Sequence, residues 1–339
     1  MPDIDTGNVE LCLRRVLPGV RVHAVERFSS GQSNPTYLIK TDRRKFVLRS
    51  KPPGNLLPSA HLVEREYQVM RALKHTRVPV PEMLLLETDI SSPTGRAFLV
   101  MEHVEGEVLF DPALPRMNAQ RRAGIYRQMN QLLAELHKLD ADEIGLSGFG
   151  RRQGYFSRQT HIWSRQYRGS RLTPNRDMET LITWLNSNMR EFGDEVRLVH
   201  GDFRLDNIIF ERSGNTAVAL IDWELATLGH PFADLAYQCA QWRMPHSCPL
   251  PGLGGLDRRQ LGLPGEEEFV TDYCRHRGIG PPDEWNFCLA FALFKLAAIL
   301  EGVARRAVEG NASNPEMAKQ YGTMVPTLAE LALEIAETA

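Results

Sequence analysis

The sequence has no excess of charge of either sign: 40 Lys and Arg against 42 Asp and Glu leave a formal net charge of -2. Reading nucleic acid by whole-molecule attraction requires a basic surplus, so no nucleic-acid partner is expected. Cysteine is scarce and unpatterned. Cys12, Cys239, Cys248, Cys274 and Cys288 form no C-x-x-C pair, which excludes a disulfide framework and favours reduced thiols. The cluster Cys239, His246 and Cys248 has no standard metal-site spacing, and buried thiols are the expected reading. The start, Met-Pro-Asp-Ile-Asp, lacks the basic and apolar regions of a signal peptide. The longest apolar stretch, Phe287 to Leu300, contains Lys295 and is short for a bilayer span, so a buried helix is expected there. These absences together predict a soluble, cytoplasmic protein with no membrane partner. There is no internal repeat and no long low-complexity linker.

What is present suits a globular protein. Hydrophobic residues make up 42% and charged residues 24% of 339 positions, enough for one large bilobal domain or two ordinary ones. Val9 to Val16 reads as a short helix. Val22 to Phe28, Thr36 to Thr41 and Lys45 to Ser50 alternate as strands between turn-forming segments. An amphipathic helix follows at Ser59 to Lys74, with Leu62, Glu66, Val69 and Leu73 on one face. Val80 to Glu87 and Ala97 to His103 complete a β-rich first part. From Gly106 the pattern turns helical: Ala119 to Leu139, Phe156 to Arg168, Met178 to Met189, Phe232 to Trp242, Glu266 to His276, Glu284 to Val308 and Pro315 to Ala336. The expected fold is α+β and bilobal, with residues 1–105 as a β-rich lobe and 106–339 as a helical lobe.

One β-hairpin interrupts the helices. Leu198 to Phe210 reads LVHGDFRLDNIIF, and Ala219 to Glu224 reads ALIDWE, with a turn at Ser213-Gly214-Asn215. Folding about Gly214 sets Asn207 opposite Ile221, so Asn207 and Asp222 meet at the open end. An amide oxygen and a carboxylate there make a hard-oxygen site suited to Mg²⁺. Asp202, on the loop entering the hairpin, is placed to accept a proton from a substrate hydroxyl. Arg204, two residues on, is placed to stabilise charge on a transferred phosphoryl group. A histidine-aspartate phosphohydrolase is excluded because Gly201 separates His200 from Asp202 and further ligand histidines are missing.

These residues resemble the kinase catalytic apparatus, H-x-D-x-x-x-x-N followed by a metal-binding Asp. The forms His-Gly-Asp and Ile-Asp-Trp-Glu resemble more closely the aminoglycoside phosphotransferase and choline kinase-like family. The resemblance runs from Phe28 to at least Tyr237 and implies a protein-kinase-like fold using ATP and Mg²⁺. Ser30, Gly31 and Ser33, between two strands, then correspond to the loop whose backbone N–H groups approach phosphate. Arg49 corresponds by order to the family's phosphate-binding lysine, a departure in reach and geometry. Its glutamate partner is expected at Glu66, which shares the apolar face and needs a buried partner, whereas Glu64 fits a solvated charge. The resemblance implies that the Glu102 carbonyl and the Val104 amide hold the adenine edge. It also implies that Asp234, in Leu228 to Ala236 (LGHPFADLA), braces the catalytic loop; His230 stands where the family often has Asp.

The substrate is less legible. Arg151 to Arg176 contains seven arginines and no acid, interleaved with Tyr155, Trp163 and Tyr167. A basic wall suits an anionic acceptor and repels a polycationic aminoglycoside; a solvated basic helix and RNA binding are the other readings of it. RSKPPG, EREY and HGDFRLDN look most like the subgroup of kinase-like domains associated with acyl-CoA dehydrogenases. That subgroup implies a small-molecule acceptor, a hydroxyacyl-CoA or another anionic hydroxy compound. The alternatives are a nucleotide-binding regulatory pseudokinase, which Arg49 favours, and an aminoglycoside-modifying phosphotransferase.

Overall fold

The computed structural model describes residues 4–28, 34–52, 62–89, 93–190, 195–310, 312 and 314–338. Short apolar runs between turns in the first hundred residues make one antiparallel sheet. Helix α1 (Thr6–Arg14), capped by the Asp5 side chain, precedes β1 (Val22–Arg27), β2 (Thr36–Thr41) and β3 (Lys45–Ser50). Helix α2 (Val63–Leu73), β4 (Met83–Glu87) and β5 (Phe98–Glu102) follow. The strand order is β1-β2-β3-β5-β4. One sheet face packs with α1 through Phe46, Leu48, Phe98 and Val100. The other face belongs to the main core with α2 through Val47, Leu99, Val69 and Leu73. Strand β3 is thus covered on both faces, which buries Arg49 at its end.

The second lobe begins with β6 (Glu107–Val108) and α3 (Ala119–Lys138). Next come α4 (Tyr155–Ser170), α5 (Arg176–Ser187) and the strands β7 (Arg197–Val199), β8 (Ile208–Phe210), β9 (Ala217–Leu220) and β10 (Thr227–Gly229). Helices α6 (Phe232–Cys239), α7 (Arg258–Leu261), α8 (Glu266–Arg277), α9 (Trp285–Val308), α10 (Pro315–Gly322) and α11 (Val325–Glu337) complete it. β6, β8 and β9 form one small sheet, β7 and β10 another. Gly106 joins the lobes where a Cβ would stand 2.5 Å from the Phe210 carbonyl oxygen, so any larger residue would push β6 off β8. Across the lobes, the Leu220 N–H donates to the Pro79 carbonyl at 2.8 Å.

Several expectations shift. The long helix expected from Pro315 to Ala336 is two helices, α10 and α11, parted at Thr323 and Met324. Pro326 sits in the first turn of α11, where its missing N–H costs nothing. The apolar stretch around Lys295 is not short: α9 has 24 residues and a mean hydropathy of 2.0 in its most apolar window. It is long and apolar enough to cross a membrane by composition, but 89% of that window is buried inside the protein. The five cysteines are free, and all but Cys248 are buried. His246 Nδ1 lies 3.0 Å from the Gly252 carbonyl oxygen, and no cluster of three or more metal-ligating side chains occurs among the described residues.

Candidate active site

The ribbon of β7 and β10 delivers the chain into the loop at 200–207. Gly201 turns there with φ +83°, and a Cβ would come within 2.4 Å of the Leu225 carbonyl oxygen, so glycine is required. Asp234, from α6, holds the loop from behind. Its carboxylate accepts the His200 N–H at 2.6 Å and the Gly201 N–H at 2.8 Å, and contacts His137 Nε2 at 3.3 Å. Burial alone would raise the Asp234 pKa, but the hydrogen bond and charge of His137, with His200 and Lys295, hold it below the usual range. The bracing role implied by the family resemblance is therefore visible as three bonds to one buried carboxylate.

Asp202 and Asn207 meet. Asn207 Nδ2 donates to the Asp202 carbonyl at 2.8 Å and to its carboxylate at 3.1 Å. Asn207 O accepts the Ile221 N–H at 2.9 Å, which puts Asp222 one residue beyond the last rung of the hairpin. The pairing expected from Gly214 is the one observed. Asp222 adopts φ 67°, a left-handed conformation rare for a residue with a side chain, and such strain collects at functional sites. Burial raises the Asp202 pKa, with Asp206 and Asp222 adding to the rise and Arg204 opposing it. Burial, with the Asp202 charge beside it, pushes the Tyr237 hydroxyl well above its usual range.

Arg204 is less available than the sequence implies. Its guanidinium is held by Asp206, Nε to Oδ1 at 3.0 Å and Nη2 to Oδ2, and stands 3.8 Å from Asp202. It enters the site as one half of an ion pair, with the other half adjacent to the acceptor side of Asp202.

Arg49 lies at the centre of three carboxylates: Glu66 at 3.2 Å, Asp222 at 2.7 Å and Glu224 at 3.4 Å. Asn34 donates to Glu66 at 3.2 Å and to Glu224 at 3.5 Å. The Arg49–Glu66 pairing expected from the helix face is therefore present. Burial raises the Glu66 pKa, and the Arg49 charge counters it. Glu64 is not merely solvated, because it pairs with Lys51 at 2.5 Å. Replacing Glu66 with Gln leaves Arg49 short of its buried counter-charge, whereas Glu64→Gln loosens a partly exposed pair. Turnover is expected to fall at least tenfold further in the first variant, by initial-rate comparison, and equal losses would remove Glu66 from the site.

The remaining expected positions divide. Val104 follows β5, and its N–H makes no hydrogen bond among the described residues. Glu102 closes β5 with its N–H bonded to the Glu82 carbonyl at 2.9 Å. Ser30, Gly31 and Ser33 lie outside the described residues. The arginine stretch is partly paired. Arg168 and Arg171 both pair with Glu179, Arg152 pairs with Asp142, and Tyr155, Trp163 and Tyr167 are buried in the core. The acids that neutralise it come from outside the stretch, where a count within the window missed them. Sequence reasoning also gave no role to Asn34, Glu224 or Tyr237. Glu224 was in view as the last residue of IDWE; Asn34 and Tyr237 carry no local signal.

The donor set fits Mg²⁺. Asn207 Nδ2 is committed to Asp202, which leaves its Oδ1 outward as an acceptor, and Asp222 keeps Oδ2 beyond the bond that Oδ1 makes to Arg49. Two hard oxygens on adjacent hairpin positions are what a magnesium ion takes from protein while phosphates and waters supply the rest.

Known proteins share this fold. A family model described as the phosphotransferase enzyme family matches residues 24–283. Acyl-CoA dehydrogenase family member 10 of Mus musculus is 45% identical over 311 residues, 91% of this chain and 29% of that protein. The chain spans less than half the length of the curated relatives it matches. A solved chain from Ralstonia eutropha, named for the aminoglycoside phosphotransferases, superposes with a TM-score of 0.87 at 38% identity, covering 99% of both chains. A thermostable mutant of the aminoglycoside phosphotransferase APH(4)-Ia, solved with ADP and hygromycin B, has a TM-score of 0.60 at 15% identity over 95% of this chain and 97% of that one, and shares the fold. A kinase-like, two-lobed chain with this loop and hairpin belongs to the phosphotransferase enzyme family typified by the aminoglycoside phosphotransferases.

Proposed function

We propose that the protein is an ATP- and Mg²⁺-dependent kinase that phosphorylates a hydroxyl group on a small metabolite. The observation that carries this reading is the Asp202–Asn207–Asp222 constellation, a candidate base beside two hard oxygen ligands on one loop and hairpin. The acceptor oxygen forms its bond to the γ-phosphorus as the bond to the ADP bridging oxygen breaks, and the hydroxyl proton passes to Asp202. Asn207 and Asp222 would hold the metal, whose charge offsets that of the phosphate oxygens. Arg49, held by Glu66, contacts the phosphates from the small lobe, and Val104 offers its amide to the adenine.

For the acceptor, the acyl-CoA dehydrogenase names of the relatives favour a hydroxyacyl-CoA or hydroxy acid. The arginine stretch supports an anionic acceptor only in part, since three of its seven arginines are paired with carboxylates. A regulatory pseudokinase is the second reading, favoured by the Arg49–Asp222 contact at 2.7 Å, which joins the phosphate-binding cation to a metal ligand. Turnover decides between them.

The first test is binding. ATP is expected to raise the Tm only when Mg²⁺ or Mn²⁺ is present, because the metal joins Asp222 and Asn207 to the phosphates. Asp222→Ala should lose that metal-dependent increment. An equal rise without metal in both proteins, by differential scanning fluorimetry, would count against the site.

A further inference from the structure

We propose that Lys295 is a positioning residue for the catalytic base: from within α9 its ammonium clamps the Gly201–Asp202 peptide and so fixes the Asp202 carboxylate against the acceptor hydroxyl. The inference rests on the kinase reading above and lies outside the residues 24–283 matched by the family model.

Lys295 is 4% exposed in a helix that is otherwise among the most apolar parts of the chain. Burying an ammonium there is costly, and a methionine of similar volume would pack at no such cost. No carboxylate lies within ion-pair distance of it among the described residues. Among the described residues its one hydrogen bond goes to the Gly201 carbonyl oxygen, 94 residues away in sequence. The rings of Trp163 and Tyr237 lie 5.7 and 5.1 Å from the ammonium, and the charges of Asp234 and Asp202 reach it from beyond ion-pair distance.

The place of that bond is what gives it consequence. The Gly201 carbonyl and the Asp202 N–H belong to one planar peptide. The N–H donates to His200 Nδ1 at 3.2 Å, and His200 Nε2 is anchored 2.9 Å from the Ile221 carbonyl oxygen. With Lys295 on the carbonyl, both ends of the plane that carries Asp202 are held, one by the hairpin and one by α9. Tyr237, a wall of the cage around the ammonium, lies beside Asp202 as well, close enough for the carboxylate charge to act on its hydroxyl. Loss of the clamp would let the plane rotate about a glycine already at φ +83°.

The experiment compares wild type, Lys295→Met, Lys295→Gln and Asp202→Asn by slow hydrolysis of Mg²⁺-ATP, ATP calorimetry and thermal melting. Lys295→Met should hydrolyse ATP roughly 10–100-fold more slowly, the scale of a misplaced reacting group. Its ATP affinity should stay within about threefold and its Tm should equal or exceed wild type, as for other buried charges replaced by apolar groups. Lys295→Gln, shorter but with an N–H donor, should also be slowed at unchanged affinity, and it decides the question if the methionine variant does not fold. Wild-type hydrolysis in a folded Lys295 variant, with Asp202→Asn slow, overturns the proposal and leaves the kinase reading intact. Rate losses that track a lowered Tm in both variants, or failure of both to fold, assign Lys295 to structure alone and also overturn it. Wild-type protein with no hydrolysis and no transfer to any hydroxylated acceptor rejects the kinase reading and the proposal with it.

Discussion

Asp202→Asn is expected to lower phosphoryl transfer by roughly 10²–10⁴-fold while leaving nucleotide affinity within a few-fold, the pattern of a lost general base. The substitution keeps the side-chain shape, and Asn207 Nδ2 can still donate to the remaining oxygen and to the main-chain carbonyl. What goes is the negative charge and nearly all the basicity. A dissociative transition state needs positioning more than full deprotonation, which favours the lower part of that range. Hydrolysis of ATP to water gives a first rate, and 3- and 4-hydroxyacyl-CoA compounds are the first acceptors to try. A variant that transfers phosphate at the wild-type rate would remove Asp202 from the chemistry. Tight ATP binding in wild type with no turnover on any acceptor would favour the pseudokinase.

The second large effect is on stability. Asp234→Ala should destabilise the protein by roughly 3–5 kcal/mol, the range for removing one partner from a buried charged network. The His200 and Gly201 N–H groups and the His137 ring would each lose an acceptor in a fully buried place. An unsatisfied buried donor costs about 1–3 kcal/mol, so two main-chain donors already reach most of that total. Asp234→Asn, with one acceptor oxygen in place of two, should fall between. Denaturant midpoints of the three proteins check the order, and an alanine variant as stable as wild type would contradict the bracing role. Activity should fall with stability here, unlike Asp202→Asn, where the two separate.

The parts of the fold that could be read in the sequence are those in which local pattern and tertiary role coincide. Thr36–Thr41 and Lys45–Ser50 are short apolar runs bounded by turn-forming residues, and the sheet has them at those bounds. Asn207 and Asp222 do meet at the hairpin's open end, although a register shift between Ile209 and Phe210, which the turn alone did not reveal, separates that end from the turn. The strands Glu107–Val108, Arg197–Val199 and Thr227–Gly229 are two or three residues long, too short for any periodicity to show. The break between α10 and α11 did have a signal, Gly322 followed by Pro326, but the apolar spacing on either side masked it. Charge was hardest to read, because partners are set by the fold. Glu179 and Asp142 lie beyond the window in which the arginines were counted, and Lys295 meets Gly201 across 94 residues. A lone lysine inside the run Phe287 to Leu300 was the only sequence trace of that bond.

The place of α9 in the chain has a consequence for synthesis. Its partners α4, α5 and α6 are all made before it, and α10 and α11 after it. A nascent chain that has just displayed the loop at 200–207 therefore lacks the helix whose Lys295 bonds the Gly201 carbonyl, and its large lobe lacks a central layer. Domains assemble as units during translation at about 5–20 residues per second. For the seconds that separate Asp202 from Lys295 in that process, the small lobe can already be complete while the loop has no fixed shape. The loop thus gains that support late, and the most membrane-like segment of the chain emerges when α4, α5 and α6 are already made but α10 and α11, which also cover it, are still to come.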